Sequence, residues 1–258
     1  MATDLFTLKG RVALVTGGSR GIGKMIAAGF IAHGAKVYIS SRKAEVCAKT
    51  AAELSKEGGT CIALPVDAST VEGAQALAKA YAERESKLDI LVNNAGAAWL
   101  EKFDRFPEKG WDKVVDLNLK TPFFLTQALH GALKAAATRA RPAKVINIAS
   151  IDGWSVNPQE TYSYAASKAG LIHLTRRMAL RLVEDDIVVS AIAPGAFASD
   201  MNTIARDHAE ETAKRIPAGR IGTDADMAGA AIYLASRAGD YVVGATLVVD
   251  GGVSDARG

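Results

Sequence analysis

The stretch from Val12 to Arg42 constrains this chain more than any other. Val12-Ala13-Leu14-Val15-Thr16 is an apolar run of buried-strand length, and it feeds directly into Gly17-Gly18-Ser19-Arg20-Gly21-Ile22-Gly23. Ile22, Ile26, Ala27, Phe30 and Ile31 then recur at helical spacing through Lys24 to Ala32. His33-Gly34 supplies a helix stop, and Lys36-Val37-Tyr38-Ile39-Ser40 reads as a second strand. The pattern is a βαβ unit with a glycine-rich first turn. Glycine there lets the backbone approach a pyrophosphate, whose charge is met by the N–H groups and positive dipole end of the following helix. Gly17, Gly21 and Gly23 follow a Gly-x3-Gly-x-Gly spacing rather than the commoner Gly-x-Gly-x-x-Gly. The turn is expected to bind a nucleotide through Gly17, Ser19, Arg20, Gly21, Ile22 and Gly23.

Elsewhere the composition fits one enzyme domain. A chain of 258 residues with 49% hydrophobic residues can bury one large core, as α/β chains of this length do. No run of 18 apolar residues occurs, and Met1 to Arg11 carries Asp4 without a long apolar stretch, so neither a membrane span nor a secretory signal is expected. A net charge of +3, with no block of five like charges, gives no electrostatic case for nucleic acid. Cys47 and Cys61 make neither a metal spacing nor a disulfide framework, and His33, His130, His173 and His208 are scattered. No metal site is expected, and the default compartment is the cytoplasm.

Strand-like and helix-like segments alternate almost to the end. Helical stretches are expected at Lys43–Lys56, 70–86, Pro107–Leu119, Thr121–Ala137, Tyr162–Val183 and 224–236. Strands are expected at Thr60–Leu64, Leu88–Val92, Lys144–Ile148, Ile187–Ile192 and Ala245–Val249. Such alternation implies a parallel sheet with helices on both faces. The whole chain, 1–258, reads as a single doubly wound, Rossmann-type α/β domain with a seven-stranded parallel sheet. Residues 194–222 interrupt the rhythm as an insertion expected to cover the substrate.

In a sheet of this kind ligands lie beyond the carboxyl ends of the strands. Ser40, Ser41, Arg42 and Lys43 follow the second strand, and no Asp or Glu falls between Lys36 and Ala44. A carboxylate there would hold the ribose 2′-hydroxyl of NAD, whereas cations such as Arg42 and Arg20 suit the 2′-phosphate of NADP. Asp67 follows the third strand, either at the adenine edge or as a cap for the next helix. Asn93-Asn94-Ala95-Gly96 follows the fourth, with small residues where a cofactor would lie flat; for Asn93 a structural role, tying neighbouring loops, is the favoured reading.

The fifth strand runs into Ser150, and fourteen residues later comes Tyr164-Ala165-Ala166-Ser167-Lys168. A spacing of four places Tyr164 and Lys168 on one helix face. A phenol has a reference pKa of about 10, and lowering it by roughly three units takes about 4 kcal/mol of differential stabilisation, which a neighbouring ammonium can contribute. Tyr162 is a weaker candidate, because its fourth neighbour is Ala166.

Thr16-Gly17-Gly18-Ser19-Arg20-Gly21-Ile22-Gly23, Asn93-Asn94-Ala95-Gly96, Asn118, Ser150, Tyr164-x3-Lys168 and Pro194-Gly195 together resemble the short-chain dehydrogenases/reductases over practically the whole chain. The resemblance implies hydride transfer between a nicotinamide and a carbonyl or alcohol carbon. It implies Tyr164 as acid/base, Ser150 as hydrogen-bond partner of the substrate oxygen, Lys168 on the nicotinamide ribose, and Asn118 in a water-linked proton relay. Asn94, Ala95, Gly96, Pro194, Gly195 and Phe197 would line the cofactor. Phe197 is a departure, since many relatives have Ile or Val there. Ile39-Ser40-Ser41-Arg42-Lys43 resembles the NADP-preferring branch. Ser41 to Cys47 and Ile192 to Met201 are similar to β-ketoacyl reductases of the rhamnolipid-associated type. The family is usually oligomeric, which implies a homotetramer or dimer built on the helices at 107–137 and 162–183.

Three functions are therefore open on sequence. The first is NADPH-dependent reduction of a ketone such as a 3-oxoacyl thioester. The second is dehydrogenation of a polyol, sugar or cyclic alcohol. The third is a non-catalytic nucleotide-binding sensor or scaffold, against which the Ser150, Tyr164 and Lys168 set argues. The partner in either catalytic case is a small-molecule ketone or alcohol.

Overall fold

Seven of the apolar runs become strands of one sheet. The computed structural model describes residues 5–56 and 58–256; Met1 to Asp4, part of the N-terminal reading, lie outside them. In chain order the elements are β1 (Val12–Thr16), α1 (Gly21–Ala32), β2 (Lys36–Ser40), α2 (Ala44–Leu54), β3 (Thr60–Leu64), α3 (Val71–Ala82) and β4 (Ile90–Asn93). Then come α4 (Glu108–Val115), α5 (Thr121–Ala128), α6 (His130–Ala136), β5 (Ala143–Ile148), α7 (Tyr162–Leu182) and β6 (Ile187–Pro194). The chain finishes with α8 (Thr203–Asp207), α9 (Ala209–Ala213), α10 (Asp224–Ala235) and β7 (Thr246–Val249).

The strand order is β3-β2-β1-β4-β5-β6-β7, and every pairing is parallel. The crossovers therefore run one way from β1 to β3 and the other way from β4 on, which opens a crevice at the carboxyl ends of β1 and β4. Along β1 the side chains alternate between two cores. Ala13 and Val15 join the cluster under α1 and α10 with Phe30, Ile39, Ile146 and Met227. Leu14 joins the opposite one with Leu77, Leu125, Val145 and Met178. This is the period-two pattern of a strand covered on both faces.

Several boundaries depart from the expected ones for local reasons. β4 starts two residues late because the Leu88 N–H donates to Ala132 O at 3.0 Å instead of joining the ladder. β6 runs two residues further, to Pro194, where β7 still pairs with it. The stretch after Pro107 is not two plain helices: residues Asp116–Lys120 form a π-turn between α4 and α5, and the path bends at Leu129 before α6. Within the insertion, Thr203–Asp207 and Ala209–Ala213 form two short helices broken at His208. Asp67 does not cap α3. Thr70 does, accepting from Gly73 N at 3.1 Å, while Asp67 Oδ1 accepts from Ser69 N in a local turn.

Two buried polar networks fix the sheet. Asn93 Nδ2 donates to Asn147 Oδ1 at 2.9 Å and to Thr126 Oγ1 at 3.2 Å, and Asn147 Nδ2 donates to Thr175 Oγ1 at 2.9 Å. This supports the structural reading of Asn93. It stitches β4 and β5 to α5 and α7, the four elements that deliver the site. At the opposite end of the sheet, Lys144 Nζ is 2.7 Å from Asp240 Oδ1, an ion-pair distance without good hydrogen-bond alignment. Nearby, Arg11 donates to Pro142 O, and Asp89 receives Val12 N–H and faces Arg141 at 3.3 Å.

Candidate active site

The glycine turn has the shape a nucleotide requires. Gly17 and Gly21 sit at φ +64° and +50°, backbone that L side chains rarely adopt. A Cβ on Gly23 would lie 2.5 Å from both Gly17 O and Asn94 Nδ2, so the α1 N-terminus is packed as closely as backbone allows. No side chain caps α1 and no acidic residue lies in its first turn, leaving its N–H groups open to an anion. Thr16 Oγ1 accepts the N–H groups of Asn94 and Ala95 at 2.9 and 3.0 Å, and Asn94 Nδ2 donates to Thr16 O at 2.8 Å. These bonds align the β1 and β4 loops as the two sides of one groove. Residues 94–96 are half-buried along it. The cradle fits a dinucleotide.

Beyond β2, Arg42 and Lys43 are exposed, with no salt-bridge partner among the described residues. Arg20 is different. Its Nη1 lies 2.6 Å from Asp200 Oδ2, and Asp200 also meets Arg206 at 3.0 Å, so the glycine turn is tied to the insertion before α8. Pro194 and Gly195 close β6, with Gly195 N donating to Val249 O. Phe197 follows in the insertion. Its ring is 2% exposed in the core, over Gly222, where a Cβ would meet it at 2.4 Å.

The four catalytic candidates come from three segments. Ser150 lies two residues beyond β5 and caps a short turn, Ile151–Gly153, accepting from Asp152 N at 3.2 Å. Tyr164 and Lys168 lie one turn apart on α7, with Lys168 Nζ 5.5 Å from the phenol ring centre. Asn118 lies in the π-turn, where its Oδ1 accepts from Ala97 N at 2.8 Å and its Nδ2 donates to Ala97 O at 2.9 Å and Ser167 Oγ at 3.1 Å. Its side chain is used up on the β4 loop and α7, so any relay role falls to the backbone of the widened turn. Ser167, which sequence reading missed, also donates to Tyr164 O at 2.8 Å. Tyr162 is set apart, its hydroxyl donating to Glu160 on the surface.

The electrostatics differ from the expectation of a depressed phenol. Burial pushes the Tyr164 hydroxyl up to about 12, the Ser150 hydroxyl works against that, and the Asp152 carboxylate adds to it. Burial pulls the Lys168 ammonium down to about 8, while its Nζ donates to Ile148 O at 2.6 Å. The ammonium is turned toward the end of β5 rather than onto the phenol oxygen. The phenol is thus protonated at neutral pH, the state a proton donor needs.

A family model described as enoyl-(acyl carrier protein) reductase matches residues 17–254. The rhamnolipids-biosynthesis 3-oxoacyl-[acyl-carrier-protein] reductase of Pseudomonas aeruginosa is 47% identical over 250 residues, covering 96% of this chain and 97% of its own. The RhlG/NADP active-site complex from Pseudomonas aeruginosa superposes with a TM-score of 0.94 at 46% identity, covering 97% of this chain and 99% of that one. A gluconate 5-dehydrogenase from Burkholderia cenocepacia, solved with NADP and tartrate, gives 0.91 at 35% identity over the whole of both chains. A glycine cradle, a protonated phenol beside a buried lysine, and matches along nearly the full length place the chain in the short-chain dehydrogenase/reductase family of oxidoreductases.

Proposed function

We propose that this chain is an NADPH-dependent carbonyl reductase acting on a ketone, with a 3-oxoacyl thioester as the favoured substrate. The observation that carries the reading is the convergence of Ser150, a protonated Tyr164 and a buried Lys168 at the carboxyl end of β5. The thioester preference rests on the relative at 47% identity. NADP, found with both structural relatives described above, fits the cations Arg20 and Arg42 and the missing carboxylate after β2. When bound, the cofactor supplies the hydride.

The chain's own residues do the rest. Ser150 Oγ orients the carbonyl oxygen, and Tyr164 delivers its proton to that oxygen as negative charge develops there. Lys168 and the turn held by Asn118 return a proton to the phenol. Ser41, Arg42 and Arg20 hold the 2′-phosphate; Gly17, Ser19, Gly21, Ile22 and Gly23 take the pyrophosphate. Asp67 takes the adenine edge, Asn94, Ala95 and Gly96 line the flat of the cofactor, and Pro194, Gly195 and Phe197 border its nicotinamide end. Residues 196–215 cover the reactants, and the chain works as a homotetramer or dimer through α4, α5 and α7, where Trp111, Phe123 and Leu180 are exposed. The gluconate 5-dehydrogenase relative keeps a polyol or sugar-acid reaction as the second reading, at lower identity. Loss of NADPH absorbance with purified protein against acyl thioesters, neutral ketones and keto-sugar acids tests the choice. Turnover of 3-oxoacyl thioesters is expected; turnover confined to sugar acids would overturn it.

A further inference from the structure

Resting on that reading, a carboxylate beside Ser150 says more about the substrate. Asp152 is two residues beyond Ser150 in the same short turn, with its N–H on the Ser150 hydroxyl. Its side chain does not swing freely. Asp152 Oδ2 accepts from Asn157 Nδ2 at 2.7 Å, and Asn157 Oδ1 in turn accepts from Gln159 N at 2.7 Å. A small network across residues 151–161 therefore fixes the carboxylate beside the catalytic serine. The phenol of Tyr164 feels its negative charge. No Lys, Arg or His pairs with it among the described residues, and Lys168, the cation nearest the phenol, spends its short hydrogen bond on Ile148 O. Arg206, on the facing insertion, is held by Asp200 and Asp207.

Leu100, Phe103, Val156, Met201 and Ile204 are exposed apolar residues on the loop after β4, the loop after β5 and the insertion. We propose that Asp152 is a specificity-determining residue: its fixed, unpaired carboxylate admits ketones that are neutral near the reacting carbon and turns away ketones that carry a carboxylate there. A thioester or ester passes; a short keto acid or a sugar acid is repelled. The consequence is a choice among ketones by charge rather than by shape.

The test uses a pair of ligands that differ in that charge. Ethyl acetoacetate and acetoacetate share the 3-oxo group, and only the second is an anion. With NADPH, the wild-type protein is expected to prefer the ester in kcat/KM. Asp152→Asn should lower the ester-to-acid ratio by roughly 10- to 100-fold, the range one like charge a few ångströms away produces in a partly screened cleft. Raised salt should narrow the wild-type ratio and leave that of Asp152→Asn unchanged. Asn157→Ala, which loosens the network but keeps the charge, should slow both substrates alike. Dissociation constants of the two compounds for the NADP+-loaded protein, by calorimetry, give the same ratio without turnover. An unchanged ratio between wild type and Asp152→Asn, in rate or in binding, overturns the proposal. Failure of the wild type to reduce the ester at all overturns the reductase reading instead, and the binding ratio still decides the role of Asp152.

Discussion

Removing the more exposed partner of the Lys144–Asp240 pair should harm the protein more than removing the buried one. The Lys144 side chain is 1% exposed, that of Asp240 30%, and Arg11 adds a second cation near the ammonium. In Asp240→Ala the ammonium stays sealed in the sheet without an anion, the situation that costs about 3–5 kcal/mol. In Lys144→Met most of the side-chain volume is kept, and the Asp240 side chain, 30% exposed and with Arg11 nearby, keeps part of its hydration and a cation, so the loss should be about 1 kcal/mol or none. Asp240→Asn, which leaves a polar neighbour, should fall between. At about 2–4 °C per kcal/mol for a chain near this size, Asp240→Ala should lower the apparent melting temperature by roughly 10 °C. Thermal denaturation at several pH values adds a sign. Burial holds the folded Lys144 pKa below its ordinary value, so above that depressed value and up to the unfolded one the unfolded chain binds more protons. Stability then rises with pH in that window, and the Asp240→Ala deficit should shrink as alkali neutralises the ammonium. A larger loss in Lys144→Met than in Asp240→Ala, or a deficit indifferent to pH, would refute the reasoning.

Four further outcomes follow from the site. Tyr164→Phe should keep NADPH binding, read by fluorescence, and lose nearly all turnover, since it removes a proton donor and little packing; more than a small residual rate would make another group the acid. Arg42→Asp should weaken NADPH by about 1.5–3 kcal/mol and relieve discrimination against NADH, as loss of one charge-assisted phosphate contact does, whereas equal wild-type affinities for the two cofactors would remove the basis for it. Because the Lys168 ammonium sits at about 8, reduction rate should fall as pH rises through that region, and Lys168→Arg, which stays charged, should shift that limb upward. Hydrogen exchange should slow across 196–215 when NADPH and substrate bind; unchanged exchange would make the segment a passive connector.

The glycine turn, the seven strands and the Tyr164–Lys168 spacing were legible because each rests on local chemistry: φ-permissive residues, apolar periodicity, and a fixed helical pitch. What escaped is non-local. The π-turn at 116–120 is drawn in by Ala97 and Ser167, far away in sequence. The late start of β4 depends on a carbonyl of α6. Asp200 gave no sign of Arg20, nor Asp240 of Lys144, since an ion pair across 180 or 96 residues leaves no spacing to read. The packing of Phe197 also escaped, because its neighbours Ala196 and Ala198 disclose nothing about which way a ring turns; Gly222, which accommodates it, lies on the other side of the insertion. The phenol's upward shift came from burial in the finished cleft, which outweighs the spacing argument.

The order β3-β2-β1-β4-β5-β6-β7 has a consequence for how the chain can be made. Once β1, β2 and β3 have emerged from a ribosome, β1 has one edge unpaired. Each later strand then docks, in the order of synthesis, on the edge left open by the strand before it in the sheet. No strand ever has to be threaded between two that are already paired. Vectorial synthesis can therefore build the sheet by simple addition, leaving a single growing edge on that side exposed to aggregation at each moment. A nascent chain arrested after β4 should hold a protease-resistant core of β1 to β3 with their helices. One arrested after β6 should already hold Ser150, Tyr164 and Lys168 in register, with the insertion, α10 and the last strand still to come.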